Sequence, residues 1–153
     1  MSSTSIMAIF SALALGHSLF LASYFWAPVK KSPSRFFLAL LLTALAIRIL
    51  KSVLVILIPQ SPFIIPAVGL VGLSAIGPSI YLYSKSFNNV LFKFKNDQLL
   101  HFIPSISLIF LIPFFNEAQM FVAYSLTVAH MFAYILWSSV HIYDRRNTYR
   151  KTE

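Results

Sequence analysis

Cysteine is absent from this chain of 153 residues. Its absence excludes disulfide bonds, thiolate nucleophiles and thiolate metal ligands together, and it leaves the redox compartment undetermined. Charged residues are also scarce, at 10% of the sequence, against about 25% in an average soluble domain. A soluble domain with its own charged surface is therefore excluded, and the composition is that of a membrane protein.

Acidic residues are the rarest charged class, and the four present are Asp97, Glu117, Asp144 and Glu153. All four fall in predicted loops or in the tail, so no intramembrane carboxylate is predicted to relay protons, which disfavours proton-coupled transport. Intramembrane histidines without a carboxylate or thiol make an incomplete zinc site, and we expect neither a metal nor a cofactor. The twelve Lys and Arg stand in short clusters between apolar runs. They indicate membrane topology, not direct binding of nucleic acid.

Five apolar runs dominate what is present. Hydrophobic residues make up 58% of the chain, and about 20 of them in sequence suffice to span a bilayer as a helix. We predict an all-α, polytopic membrane bundle in a single domain, with five transmembrane helices at residues 5–27, 36–58, 62–84, 99–115 and 118–143 and a tail at 144–153. A cleaved signal peptide is the alternative for the first run. The absence of Lys and Arg before it, and its length, favour retention.

The basic residues predict the orientation. If the N-terminus is outside, the cytoplasmic segments hold ten of the twelve Lys and Arg, namely Lys30, Lys31, Arg35, Lys85, Lys93, Lys95, Arg145, Arg146, Arg150 and Lys151. Because cytoplasmic loops carry an excess of Lys and Arg, we expect an outside N-terminus and a cytoplasmic C-terminus in a bacterial inner membrane. The stretch Phe92-Lys93-Phe94-Lys95 suits either a segment on lipid headgroups or an ordinary basic loop.

The third span has small residues and prolines at recurring positions. They are Pro66, Gly69, Gly72, Ala75, Gly77 and Pro78. Small residues along one stripe let another helix approach closely, so the third span is a predicted interface for a homo-oligomer within the lipid bilayer. Pro66 and Pro78 are expected to kink or interrupt the helix unless neighbouring groups satisfy the freed carbonyls.

Two sets of polar residues inside the spans are candidates for function. Arg48 and Lys51 share a face of the second span and predict either an anion or lipid-headgroup site open to the outside, or two snorkelling side chains. The fifth span carries Thr127, His130, Tyr134, Trp137 and His141 at spacings of 3, 4, 3 and 4, which is one helical face.

We predict a ligand pocket from these sets, in the outer half of the bundle, comprising His17, Arg48, Lys51, Thr127, His130 and Tyr134. His17 of the first span could meet His130 there as a pair that responds to pH. The alternative is that each histidine is a packing residue, hydrogen-bonded across helices.

An enzymatic function is weakly indicated. Gly72-Leu73-Ser74-Ala75 superficially resembles the serine motif of rhomboid intramembrane proteases, with His130 as the base. The glycine expected after the serine is missing, and a Ser-His pair needs a mutual geometry that sequence does not show. We therefore expect no catalytic residues.

One family resemblance rests on two short motifs. Gly77-Pro78-Ser79-Ile80-Tyr81-Leu82-Tyr83 is followed by Lys85-Ser86-Phe87 and later by His101-Phe102-Ile103-Pro104. In these motifs, and over most of its length, the chain resembles the multi-spanning N-terminal region of bacterial membrane-anchored transcription regulators with an AraC-type DNA-binding domain. The motif residues are Gly77, Pro78, Tyr81, Tyr83, His101 and Pro104.

The resemblance implies that the spans act as a sensor or an anchor beside a cytoplasmic helix-turn-helix module that reads DNA. The chain contains no recognisable helix-turn-helix segment, so such a module would be a separate partner or a missing extension. The structural alternative makes Gly77 and Pro78 a bend, the tyrosines interface anchors and His101 with Pro104 a helix start. Two other readings remain open: a small carrier or channel-like protein, and a truncated chain without independent function.

Overall fold

The computed structural model describes residues 3–27, 32–58, 60, 62, 64–87, 92–93 and 95–150, and for residues 3–5 and 144–150 it describes the backbone alone. Lys30, Lys31 and Lys151, on which part of the predicted orientation rests, lie outside these residues, as does Phe94 of the stretch predicted to lie on headgroups. The described part of the chain is helical and has no strand. Five of its segments are long and apolar enough to cross a membrane, as the sequence predicted.

The helices are α1 (Ser3–Trp26), α2 (Pro33–Leu57), α3 (Ile64–Phe87), α4 (Ile103–Leu111) and α5 (Glu117–Arg150). The fourth candidate span is composite, because a 3₁₀ helix at Asn96–Phe102 leads into α4 and another at Ile112–Phe114 follows it. Pro113 lies in that second 3₁₀ helix, and its missing N–H cannot continue the α-helical ladder.

Local signals define where the helices begin and end. Pro33 opens α2, in the first turn, where the missing N–H costs least. The start of α5 is capped reciprocally, since the Asn116 N–H donates to Gln119 Oε1 (2.8 Å) and the Gln119 N–H donates to Asn116 Oδ1 (2.9 Å). These bonds satisfy amide groups that a helix start leaves unpaired. Helix α5 then continues beyond Tyr143, where the candidate span ends, to Arg150.

Helix α3 is the centre of the bundle. It packs extensively against α2, α4 and α5, whereas the main contact of α1 is with α2. In α3, 61% of an 18-residue window is buried, against 6–17% in the other four candidate spans. Residues such as Phe110, Phe114 and Phe121 are 70–82% exposed. Apolar faces of this size fit a lipid environment better than water.

The glycines of α3 explain its central position. A Cβ atom on Gly72 would lie 2.9 Å from Ile47 Cγ2 of α2, and one on Gly77 would lie 3.1 Å from Met131 Cα of α5. These distances are shorter than most side-chain contacts, so a larger residue at either position would require its neighbours to shift. The stripe is thus used within the chain. The oligomer predicted through the third span stays a prediction.

Pro78 lies inside α3 without ending it. The helix runs unbroken from Ile64 to Phe87, and Pro78 is among its fully buried residues. Ser79 Oγ donates to the Ala75 carbonyl at 2.7 Å, and Ser74 Oγ donates to the Val71 carbonyl at the same distance. The carbonyl that Pro78 leaves without an N–H partner is that of Ser74, and these hydroxyl bonds are made to other carbonyls of the same helix.

We call the two ends of the bundle the Lys51 end and the Lys85 end, after the lysine near each. At the Lys51 end, α2 finishes, α3 begins and α5 begins. At the Lys85 end, α3 finishes and the 3₁₀ helix before α4 begins. A core of Phe37, Tyr81 and Leu82 lies near the Lys85 end, and a second core of Ala44, Leu73 and Ile76 lies between the two ends.

Replacement of Gly77 by leucine is expected to destabilise the bundle by about 1–3 kcal/mol, because the new side chain meets the α5 backbone and cannot be accommodated by rotation. Equilibrium unfolding in mixed detergent micelles measures the change. Gly16→Leu is the matched control, since a Cβ at Gly16 has no atom within 4 Å. Equal stability of the two variants would contradict the close packing of α3 on α5.

Candidate functional site

Arg48 and Lys51 line a cleft of about 240 Å³ at the Lys51 end, between α2, α3 and α5. Arg48 Nη2 donates to Tyr124 Oη of α5 (3.4 Å), and Nη1 donates to Ser52 Oγ (3.4 Å). The Lys51 stem lies against Gly69, where an added Cβ would come within 2.6 Å of Lys51 Cγ. Both cations therefore have defined positions across helices.

Thr127 and His130 line a different cleft, of about 320 Å³, between α3, α4 and α5. Thr127 is buried and its hydroxyl donates to the Ala123 carbonyl of its own helix (2.7 Å). His130 Nδ1 is buried and has no hydrogen-bond partner among the described residues. A buried ring nitrogen without a partner is uncommon in a folded protein.

Ser74, from the motif that resembles the rhomboid serine motif, also lines this second cleft. Ser74 Oγ is hydrogen-bonded to Ser105 Oγ of α4 (2.8 Å) and to the Val71 carbonyl. No hydrogen bond joins it to His130 within the described part of the chain. The serine hydroxyl thus links α3 to α4.

Tyr134 belongs to an aromatic cluster at the Lys85 end, which we call the Tyr81 cluster; it consists of Tyr81, Lys85, His101, Tyr134, Trp137 and His141. His101 Nδ1 and Tyr134 Oη are 2.8 Å apart, which is a hydrogen bond between the fourth span and α5. The ring of Tyr81 lies 5.2 Å from Trp137 and 5.4 Å from His101, and Lys85 Nζ lies 5.6 Å above it. Tyr81 is therefore at the centre of a contact among three spans.

The predicted pocket is accordingly divided among separate places. Arg48 and Lys51 share one cleft and Thr127 and His130 share another. Tyr134 belongs to the Tyr81 cluster, and its ring lies 4.8 Å from that of His130. His17 is exposed on α1, and the main contact of α1 is with α2. Among the described residues, His17 is part of neither cleft, and its pairing with His130 stays a prediction.

The motif residues are distributed around α3. Tyr81 and His101 meet in the Tyr81 cluster, and Pro104 lines the second cleft. Gly77 lies against α5 and Pro78 is buried, while Tyr83 packs on the core of Phe37 and Leu82. The two motifs thus meet in space through Tyr81 and His101.

Sequence reasoning missed three contributors. Tyr124 lies three residues before Thr127 and would have extended the polar face of α5 by one step, which is the signal that was available. Ser105 has no comparable signal, because its contact depends on how α4 is placed. Lys85 stood in the quoted motif, but its contact with the Tyr81 ring was not predicted. No group of three or more His, Asp or Glu side chains in the described ranges is arranged to hold a metal ion.

Comparison of the chain with protein-family models, with curated proteins and with solved structures gave no significant match. The resemblance to AraC-type regulators therefore depends on the quoted motifs alone.

Tyr134→Phe is expected to destabilise the bundle by about 0.6 kcal/mol, up to about 1.7 kcal/mol, which is the range for hydrogen bonds between membrane helices. A double-mutant cycle with His101→Phe, measured by equilibrium unfolding, isolates the free energy of the interaction between His101 and Tyr134. Tyr143→Phe is the chemical control, since Tyr143 lies on the same helix and is 65% exposed. Additive effects of the two changes would show that the hydrogen bond contributes nothing.

Proposed function

We propose that this chain is a membrane-embedded sensory module that signals by a change in the packing of α5 against α3. The observation that carries the proposal is the course of α5. One helix borders the Arg48 cleft through Tyr124, the second cleft through His130 and the Tyr81 cluster through Tyr134. A displacement of α5 at one of these three sites would therefore change its contacts at the other two.

The continuation of α5 supports this role. The helix extends seven residues beyond Tyr143, or about 10 Å at the rise of an α-helix. A continuous helix carries a rotation or a shift out of the bundle to whatever lies beside its basic end. A ligand produces such a shift only if it binds one arrangement of the helices more tightly than the other.

The distribution of Lys and Arg supports an orientation with the N-terminus outside and the C-terminus in the cytoplasm of a bacterium. The Lys51 end then faces outward, and the Lys85 end and the extension of α5 face the cytoplasm. The signal received by the clefts would pass inward to a DNA-binding partner or extension of the AraC type, the role that the motif resemblance implies.

Labelling of single cysteines tests the orientation, and the chain offers no background because it has no cysteine. We expect Gln60→Cys to react with a membrane-impermeant maleimide in intact spheroplasts, and Lys93→Cys to react only after the membrane is permeabilised. Both positions are exposed. The opposite pattern would place the Lys51 end in the cytoplasm and contradict the proposed direction of signalling.

Transcript profiles test the signalling role. In the native host, deletion of the gene is expected to change a defined set of transcripts, which the wild-type chain restores. Tyr134→Phe should restore them only in part, because it weakens the contact of α5 with the fourth span, whereas Tyr143→Phe should restore them fully. Membrane levels of each variant are measured in parallel. If deletion alters no transcript, the sensory proposal is wrong.

A small carrier is the second candidate, and the observation that favours it is the presence of two clefts at different depths along α5. Solute flux into vesicles reconstituted with the purified chain is the discriminating measurement. Flux that Tyr134→Phe changes, without any transcript response to deletion, would move the carrier ahead of the sensor.

A further inference from the structure

The cleft at the Lys51 end presents positive charge without a matching negative charge. Neither Arg48 nor Lys51 is ion-paired with a carboxylate among the described residues. The guanidinium of Arg48 donates hydrogen bonds to the neutral hydroxyls of Tyr124 and Ser52. Cations placed within an apolar span usually face a protein partner, a water-filled cavity or a ligand.

The positions of the two side chains differ from simple snorkelling. Arg48 lies nine residues before the end of α2 at Leu57, about 14 Å along the helix axis. Its guanidinium bridges α2 and α5 through Tyr124. The stem of Lys51 runs in a space left by Gly69 of α3, where any larger residue would displace it. A snorkelling side chain also lays its stem on apolar surface, so the contact that distinguishes this pair is the bond of the Arg48 guanidinium to Tyr124 on a second helix.

The remaining walls of the cleft are apolar. Pro66 and Leu70 of α3 and Met120 and Phe121 of α5 complete the lining, and Phe121 is 74% exposed on the outside of the bundle. The cleft is thus lined by two cationic side chains and by an apolar wall that is open to the outside of the bundle. An amphiphile matches both parts, because its head meets the cations and its chain leaves along the apolar wall.

We propose that this cleft binds one amphiphile with a small anionic head, a phosphate or a carboxylate, and a single apolar chain. Arg48 provides a planar fork of donors for two oxygen atoms of the head, and Lys51 provides a point charge. Tyr124 Oη holds the guanidinium and is a further hydroxyl beside the head. The inference gives the proposed sensor its ligand class and rests on that function for its biological meaning, but binding itself is measured without it.

The experiment uses the purified chain in neutral maltoside micelles and follows its thermal midpoint against added dodecyl phosphate or dodecanoate. A ligand that binds the folded state raises the midpoint by mass action. Inorganic phosphate supplies the head without the chain, and dodecylphosphocholine supplies the chain with a neutralised head. We expect at least one of the two anionic amphiphiles to raise the midpoint, and neither control compound to do so.

The variants separate the cleft from general charge effects. Arg48→Gln with Lys51→Gln should weaken the apparent affinity roughly 10- to 100-fold, as expected when paired charges are removed. Arg35→Gln with Lys93→Gln is the matched control, since it removes two exposed cations at the other end and should leave the affinity unchanged. Tyr124→Phe should weaken it roughly three- to fivefold, through loss of one hydrogen bond.

The outcomes are distinct. Equal midpoint shifts in the cleft variant and in the control variant would overturn the proposal, because the amphiphile would then act on the micelle or on the overall charge. An equal response to inorganic phosphate would overturn the amphiphile class and indicate a free anion. Tyr124→Phe retains both charges, so an unchanged affinity in it would exclude the Tyr124 hydroxyl from the site. Binding without any transcript response would refute the sensor and leave the site intact.

Discussion

The close approach of α3 to its neighbours is the contact on which the rest of the bundle depends. Gly72 brings α3 against α2, and Gly77 brings it against the backbone of α5 at Met131. Between membrane helices the surrounding lipid is as apolar as the side chains, so association relies on packing and on hydrogen bonds. Small residues at two levels of α3 let backbones approach on two sides. That placement makes α3 the common partner of α2, α4 and α5.

Helix α5 owes its position to this arrangement. It touches α3 at Gly77, and two side-chain hydrogen bonds fix it further towards the Lys85 end: His101 Nδ1 to Tyr134 Oη and Ser138 Oγ to Ser84 Oγ, each 2.8 Å. At the other end, Tyr124 meets Arg48 at the longer distance of 3.4 Å. The helix is therefore held most firmly near Tyr134 and less firmly near the cation cleft. A ligand in that cleft would act where α5 is most easily displaced.

The five spans could be predicted from the sequence because hydrophobic length is a local property. The pairing of the spans could not, because apolar runs of similar length do not say which of them touch. The glycines of the third span indicated a close helix contact, yet the sequence did not show whether the partner was in the same chain or in a second copy. His17 illustrates the limit: its type suggested a partner for His130, but α1 packs mainly on α2, and His17 is left exposed.

The candidate site, like the fold, could be predicted from the sequence only in part. The polar face of α5 was visible from its spacing, since residues three and four apart share one side of a helix. The sequence did not show that one part of this face lines the cleft at His130 and another part joins the Tyr81 cluster. That difference depends on where the fourth span packs against α3 and α5. Ser74 and Ser105, 31 residues apart, meet only after that crossing is set. Motif residues Tyr81 and His101 likewise become neighbours through tertiary structure.

The energies of these contacts bear on whether α5 can switch. Hydrogen bonds link α5 to its neighbours at Arg48, Ser84 and His101, and such bonds between membrane helices average about 0.6 kcal/mol each. Together they amount to about 2 kcal/mol on that scale, which is comparable to the 1–3 kcal/mol typical of coupling between two sites. In the proposed binding mode, an anion that pairs with Arg48 shares the guanidinium with Tyr124. The same side chain that lines the cleft therefore also joins α2 to α5.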